Sequence, residues 1–102
     1  MSDTTFTQLQ PGVISTFRSH HIGGIKKVLA ENFDSNSIDS QGNNALHLVC
    51  MPKTVQKDAS TAIRLVTSSG VSFNARNSIG FTPLMLAALL LPSDLVKVVL
   101  EA

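Results

Sequence analysis

The sequence predicts an all-α fold of about three helix–turn–helix units. An internal repeat is the first observation, because Gly42 recurs 38 residues later as Gly80, whereas Ile63 aligns with Val96 at an interval of 33 residues. Such periods indicate units that stack on their neighbours. The longer interval contains five more residues (38 against 33), and the polar, non-periodic segment 51–58 is the natural place for that insertion. Paired helix-start signals and residues suited to helix ends complete the prediction.

The last unit carries the clearest helix signals. Thr82 is a typical N-cap and Pro83 a typical first helical residue, so a helix is predicted from there to about Leu90. Ser93 is the predicted N-cap of a second, apolar helix that continues to Leu100.

The middle unit repeats this order of elements. A turn is predicted over 36–42, a helix over about 45–50 and a second helix over about 59–68. Gly70 follows as the residue that ends the second helix in the left-handed conformation.

The first unit is less regular. Apolar residues predict a helical segment over 13–18 and a helix over 25–31. Gly23 and Gly24 are interpreted as a tight connection between these helices. Asn32 would end the second helix, since asparagine tolerates the left-handed conformation next best after glycine.

Composition excludes several classes of function. A chain of 102 residues is bounded at one domain, and its net charge of +1 argues against a nucleic acid or acidic membrane partner. Tryptophan and tyrosine are absent, so a base-stacking platform has little to build on. The longest apolar run, 84–91, is far shorter than the roughly 18 residues of a membrane span. A single cysteine and no secretory signal favour a reducing, cytosol-like compartment.

The residues around each turn glycine resemble the ankyrin repeat. The last unit reads Gly80-Phe-Thr-Pro-Leu-Met-Leu-Ala-Ala88, and the middle unit reads Gly42-Asn-Asn-Ala-Leu-His-Leu-Val-Cys50. The ankyrin repeat has about 33 residues and a Thr-Pro-Leu-His motif. The resemblance implies an ankyrin-type solenoid with short β-hairpin-like loops.

The same resemblance divides the chain. It implies a flexible N-terminal segment over 1–10, a degenerate capping repeat over about 11–38, a second repeat over 39–76 with the five-residue insertion, and a third, C-terminally incomplete repeat over 77–102. The first repeat is polar enough to be a cap. The third is apolar, which implies that further C-terminal repeats or self-association cover it.

One departure from the family concerns a polar pair. In ankyrin repeats the threonine of the motif hydrogen-bonds its histidine, which helps to tie neighbouring hairpins together. The middle unit has His47 but carries Asn44 at the threonine position, and the last unit has Thr82 but carries Met85 at the histidine position. We therefore expect part of this polar network to be lost.

Two groups of side chains invite a chemical role. His47 and Cys50 lie three residues apart on one helix face, as a thiol–imidazole pair would, but core packing is favoured because cysteine is among the most buried residue types. His20 and His21 suggest a metal, yet adjacent side chains point apart and no third ligand is evident, so a solvated turn is favoured. The sequence therefore predicts no enzyme activity, no cofactor and no metal site. Thiol chemistry at Cys50 stays as a minor alternative.

The remaining functional signal is surface chemistry. By resemblance, ankyrin proteins bind other proteins through the hairpin tips and the first helix of each repeat. Carried onto this chain, the implied partner-binding residues are Ser40, Gln41, Asn43, Met51, Ser78, Ile79, Phe81, Leu89 and Leu90. Ile79 and Phe81 flank the turn glycine, where a lone domain normally shows polar residues. With Leu89 they would form an apolar patch, covered either by a partner or by a following repeat.

The predicted function is protein–protein interaction, as a scaffold, adaptor or inhibitor, with a protein partner and with neither nucleic acid nor membrane. The alternative is an N-terminal targeting module of a larger multidomain enzyme or of a secreted pathogen effector. The predicted location is the cytoplasm, with the nucleus, or the host cytosol for an effector, as alternatives.

Overall fold

Three pairs of helices follow one another along the chain. The computed structural model describes residues 8–31, 33–52 and 57–101. Within these ranges the helices are α1 (Pro11–Arg18), α2 (Ile22–Ala30), α3 (Ala45–Val49), α4 (Ala59–Thr67), α5 (Pro83–Leu90) and α6 (Ser93–Leu100). The described residues contain no β-strand, and the all-α prediction is confirmed.

The pairs pack side by side. The first helices contact one another in the order α1, α3, α5, and the second helices in the order α2, α4, α6. Each first helix also packs against the second helix of its own pair. The Cα radius of gyration is 12.7 Å, near the roughly 13 Å of a compact chain of this length.

Helix α5 begins as the sequence predicts. The Thr82 hydroxyl accepts a hydrogen bond from the Met85 amide at 3.3 Å, and Pro83 occupies the first turn. Helix α6 differs, since its N-cap is Pro92 and no side chain caps it. The prediction of Ser93 as the N-cap is therefore wrong by one residue. The Pro92 carbonyl accepts from the amide of Leu95 at 3.0 Å, and the fixed φ of proline, −58° here, suits the approach to a helix.

The interpretation of Gly23 and Gly24 as a connection is also wrong, because both lie inside α2. The turn lies earlier, where His20 adopts a φ of +55°. A Cβ on Gly24 would lie 2.8 Å from Cγ2 of Thr16 in α1, so this glycine serves the close approach of two helices. The His21 ring begins α2 by accepting a hydrogen bond from the Gly24 amide at 2.8 Å.

One apolar core joins all three helix pairs. Its fully buried side chains include Phe17, Ile25, Leu46, Ile63 and Val66. Leu9 also enters the core, and its amide donates to the Ile38 carbonyl at 2.8 Å, next to an isolated parallel bridge between Gln8 and Ile38. The packed part of the chain therefore starts before Pro11.

The remaining predictions concern the ends of α4 and α2, the N-terminal segment and the insertion. Gly70 adopts a φ of +88° after α4, as predicted. Asn32, the first seven residues of the N-terminal segment and the insertion residues 53–56 lie outside the described residues. Among the residues that are described, no helix is both long and apolar enough to cross a membrane.

Candidate partner-binding surface

Two tight turns of the same design introduce α3 and α5. In the first, the Asp39 carboxylate accepts hydrogen bonds from the amides of Gln41 at 2.9 Å and Asn43 at 2.8 Å. In the second, the Asn77 side-chain oxygen accepts from the amides of Ile79 at 3.1 Å and Phe81 at 2.9 Å. An aspartate or asparagine at this position thus supplies an acceptor inside each turn.

A glycine with positive φ completes each turn. Gly42 has a φ of +76° and Gly80 a φ of +88°, a region where other L-residues are strained. The φ value is the only constraint on Gly80, since no atom lies within 4 Å of a Cβ built there. At Gly42 the same Cβ would lie 3.1 Å from the Ser78 backbone nitrogen, so the neighbouring turn restricts this position as well.

The two turns are bonded to each other. The Ser78 amide donates to the Gln41 carbonyl at 2.8 Å. The Asn77 side-chain amide donates to the side-chain oxygen of Asn43 at 2.9 Å, and Asn43 in turn donates to Asp39 at 3.1 Å. The turns therefore project from the helices as a connected edge.

Behind this edge, Asn44 and His47 join the second and third helix pairs. The Asn44 side chain accepts from the His47 amide at 3.0 Å, and Nδ1 of His47 accepts from the Asn44 amide at 3.0 Å. Nε2 of His47 then donates to the Phe81 carbonyl at 2.7 Å, and the Asn44 side chain donates to the Ser72 carbonyl at 3.1 Å. The expected loss of the network is therefore wrong for the middle unit, where asparagine replaces threonine as cap and adds a donor.

In the last unit, part of the polar network is lost, as expected. Thr82 caps α5, but Met85 has no ring nitrogen to reach a neighbouring backbone. The side chain of Met85 is 41% exposed, whereas the matching His47 is fully buried.

The surroundings of His47 favour the neutral ring. Nδ1 lies 3.0 Å from both the amide nitrogen and the side-chain oxygen of Asn44, and Nε2 donates to the Phe81 carbonyl. The bond from the Asn44 amide to Nδ1 forms only with the neutral ring. Burial lowers the pKa of His47 below its usual value, while the bond to Phe81 and the charge of Asp39 oppose the shift. His47 is thus a structural link between two helix pairs.

The predicted partner-binding residues divide into three groups by accessibility. The exposed ones are Ser40, Gln41, Ser78, Ile79, Leu89 and Leu90. Met51 and Phe81 are half-buried and pack against the core. Asn43 is buried, and both ends of its side chain are held in the turn-to-turn bonds, so that side chain offers no free surface.

Exposed large apolar side chains gather in one part of the chain. All those among the described residues lie between Ile79 and Leu100, with Ile79 71% and Leu89 67% exposed. Sequence reasoning missed three of them, namely Leu84, Met85 and Leu100. The repeat could have predicted the exposure of two of them. Leu84 and Met85 align with Leu46 and His47, which the following unit covers.

Cys50 lies in the core, as predicted. It is fully buried, and burial raises the pKa of its thiol to about 12. Because the thiolate is the nucleophile, this environment suppresses thiol reactivity.

The expectation that His20 lies in a solvated turn is wrong. It is 3% exposed, not solvated, and its Nε2 donates to the Val49 carbonyl at 2.8 Å. Its Nδ1 is buried without a hydrogen-bond partner among the described residues. His21 is exposed and caps α2. No group of three or more His, Cys, Asp or Glu side chains in the described ranges is arranged to hold a metal ion.

Comparisons with known proteins do not assign the chain to a family. No protein-family model matches the chain, and no curated protein matches it.

Proposed function

We propose that the chain is an ankyrin-type repeat module that binds a protein partner through its turn edge and its first helices. The two rows of helices, and the two turns of shared design, are what such an array requires. A buried histidine linking successive units supports the same assignment. A free, buried Cys50 suits a reducing compartment such as the cytoplasm.

The exposure of Ile79 is the observation that carries the proposal. It is a large apolar side chain, 71% exposed, at the tip of a turn that is held by hydrogen bonds within the turn and to the neighbouring turn. Leu89 and Leu90 add exposed apolar surface on α5, the first helix of the same unit. Apolar side chains displayed on a rigid frame are typical of protein interfaces, because little entropy is lost on binding.

Few charged groups lie on this surface. Ser40, Gln41 and Ser78 border the turn edge with uncharged polar groups, and α5 contains no charged residue. Charge enters at Asp39, whose carboxylate accepts bonds within the first turn, and at the exposed Arg76, whose guanidinium donates to the Gly80 carbonyl at 2.8 Å. A partner with an apolar centre and a polar rim therefore fits best.

The test uses crosslinking at defined positions. A photoreactive amino acid at position 79 or 89 should crosslink cytosolic proteins that the same group at Thr61, exposed on α4, does not crosslink. For a protein so identified, the double variant Ile79→Asp/Leu89→Asp should raise the dissociation constant at least about tenfold. The matched control is Thr61→Asp/Ser68→Asp, which adds the same charge at exposed positions on and after α4.

Equal crosslinking from positions 79 and 61 would contradict the proposal. So would a double variant at 79 and 89 that keeps its fold by circular dichroism and binds with unchanged affinity.

A further inference from the structure

One charged side chain at the turn edge has hydrogen-bonding capacity that the chain does not use. The Arg76 guanidinium is exposed, and its Nη1 donates to the Gly80 carbonyl at 2.8 Å. This bond holds the guanidinium at the tip of the turn, next to the exposed Ile79, which directly precedes Gly80. Across the described ranges, its remaining N–H groups have no hydrogen-bond or ion-pair partner. Arg76 therefore offers a positively charged donor beside the apolar side chain that carries the proposed function.

The acidic residue of the turn edge is already engaged elsewhere. Oδ1 of Asp39 accepts from the amides of Gln41 and Asn43, and Oδ2 accepts from the Asn43 side-chain amide at 3.1 Å. In the turn that contains Arg76, the position equivalent to Asp39 is occupied by the neutral Asn77. The edge thus carries one negative charge that is satisfied within its own turn and one positive charge that has no acidic partner in the part of the chain that is described.

The design of the turn does not require Arg76. The equivalent residue 38 positions earlier is Ile38, which has no side-chain donor. The first turn nevertheless forms with the same pattern of hydrogen bonds and with a glycine of positive φ. Ile38 is half-buried, whereas Arg76 is exposed. The arginine is therefore a departure from the repeat that turn formation alone does not explain.

The geometry and the amount of charge select one kind of group for Arg76. A guanidinium presents its donors in a planar fork that matches a carboxylate with two parallel hydrogen bonds. Phosphoryl groups carry more charge and are typically held by clusters of arginines. The two turn segments, 36–43 and 74–81, contain no lysine or arginine besides Arg76. A single carboxylate therefore fits this site better than a phosphoryl group.

We propose that the protein bound at Ile79 places an aspartate or glutamate carboxylate on Arg76, beside its apolar centre. This carboxylate contact rests on the proposed function and adds to it the chemistry of the partner. Ile79 contributes burial of apolar surface, while Arg76 fixes the register of the interface, because opposite charges steer association and exclude wrong alignments. Arginine is also among the residue types enriched at the energetic centres of interfaces.

Binding measurements on the purified protein that crosslinks from position 79 test the contact. Arg76→Gln should raise the dissociation constant at least about tenfold, since it removes a hydrogen bond between charged groups. Wild-type binding should weaken between about 50 and about 500 mM sodium chloride, and Arg76→Gln should show a smaller change. The matched control is Arg64→Gln, which removes the same charge at an exposed position on α4 and should alter neither quantity.

A carbodiimide identifies the group that faces position 76, because it joins an amine to a carboxylate without a spacer. Arg76→Lys keeps the positive charge and should couple to an aspartate or glutamate of the same purified protein, which mass spectrometry of the joined peptides locates. Thr61→Lys, at an exposed position on α4, should give no such product. Phosphatase treatment of the purified protein should leave its affinity for the wild type unchanged.

Three results would overturn the carboxylate contact. They are unchanged affinity and salt dependence in an Arg76→Gln chain that keeps its circular dichroism, no coupled product from Arg76→Lys, and loss of binding after phosphatase treatment. If Ile79→Asp/Leu89→Asp weakens binding and the Arg76 variants do not, the contact alone fails and the proposed function stands. If no protein crosslinks specifically from position 79, both fail.

Discussion

Replacing each turn glycine by alanine separates two causes of glycine use. Gly42 and Gly80 share positive φ values of +76° and +88°, but only Gly42 has a neighbour close to the added Cβ. An alanine held at positive φ costs about 1 kcal/mol or slightly more. Gly80→Ala should therefore lower the free energy of unfolding by about 1 kcal/mol.

Gly42→Ala should cost more. The new Cβ would lie 3.1 Å from the Ser78 backbone nitrogen, and this nitrogen donates the 2.8 Å bond to the Gln41 carbonyl. Moving Ser78 away weakens that bond, which contributes about 1 kcal/mol net. The expected total for Gly42→Ala is about 2 kcal/mol.

Urea unfolding followed by far-ultraviolet circular dichroism measures both values, since the chain has no tryptophan or tyrosine for fluorescence. Gly70→Ala serves as a second reference, because Gly70 has a φ of +88° and no atom within 4 Å of an added Cβ. If Gly42→Ala costs no more than the variants at 70 and 80, the assigned role of the turn-to-turn bond is wrong.

Three further outcomes are expected. The free energy of unfolding should fall as the pH drops below about 6.5, because the lowered pKa keeps His47 neutral in the folded chain while the unfolded chain binds a proton. Urea titrations at several pH values should show a weaker fall for His47→Gln, and the same pH dependence in this variant and the wild type would refute the reasoning. Cys50 should react with iodoacetamide at least about a hundredfold more slowly in the native chain than in urea, and equal rates would contradict its burial. Asn44→Ala should cost about 1 kcal/mol more than Thr82→Ala in urea unfolding, because both remove a helix cap but only Asn44 also bonds Ser72; equal costs would contradict this.

Local signals predicted most of the helices. Thr82 and Pro83 mark the start of α5 because the cap and the fixed φ act within a few residues, and Gly70 ends α4 for the same kind of reason. The start of α6 was misplaced because Ser93 is a good cap by type, whereas Pro92 already supplies the N-cap backbone geometry.

Local sequence signals could not predict contacts between residues that are distant in the chain. His20 looked like a solvated turn residue, and only its position beside Val49, 29 residues away, explains its burial. Asn44 was interpreted as the loss of a threonine, although its amide reaches Ser72, 28 residues away. At the candidate surface, residue type was enough to select Ile79 and Leu89 as apolar contact residues. The burial of Asn43 could not be predicted, because it follows from contact between two turns.

The five-residue helix α3 is held at both ends by other parts of the chain. Its C-terminal side receives hydrogen bonds from His20 to Val49 at 2.8 Å and from Arg18 to Met51 at 3.0 Å, and its N-terminal side is tied through His47 to Phe81. A helix this short is unstable alone, since isolated helices shorter than about 12 residues are marginal in water. The short helix α3 therefore depends on contacts from both flanks. We expect a fragment that lacks either flank to lose α3, and the whole chain to unfold in one cooperative step instead of unit by unit.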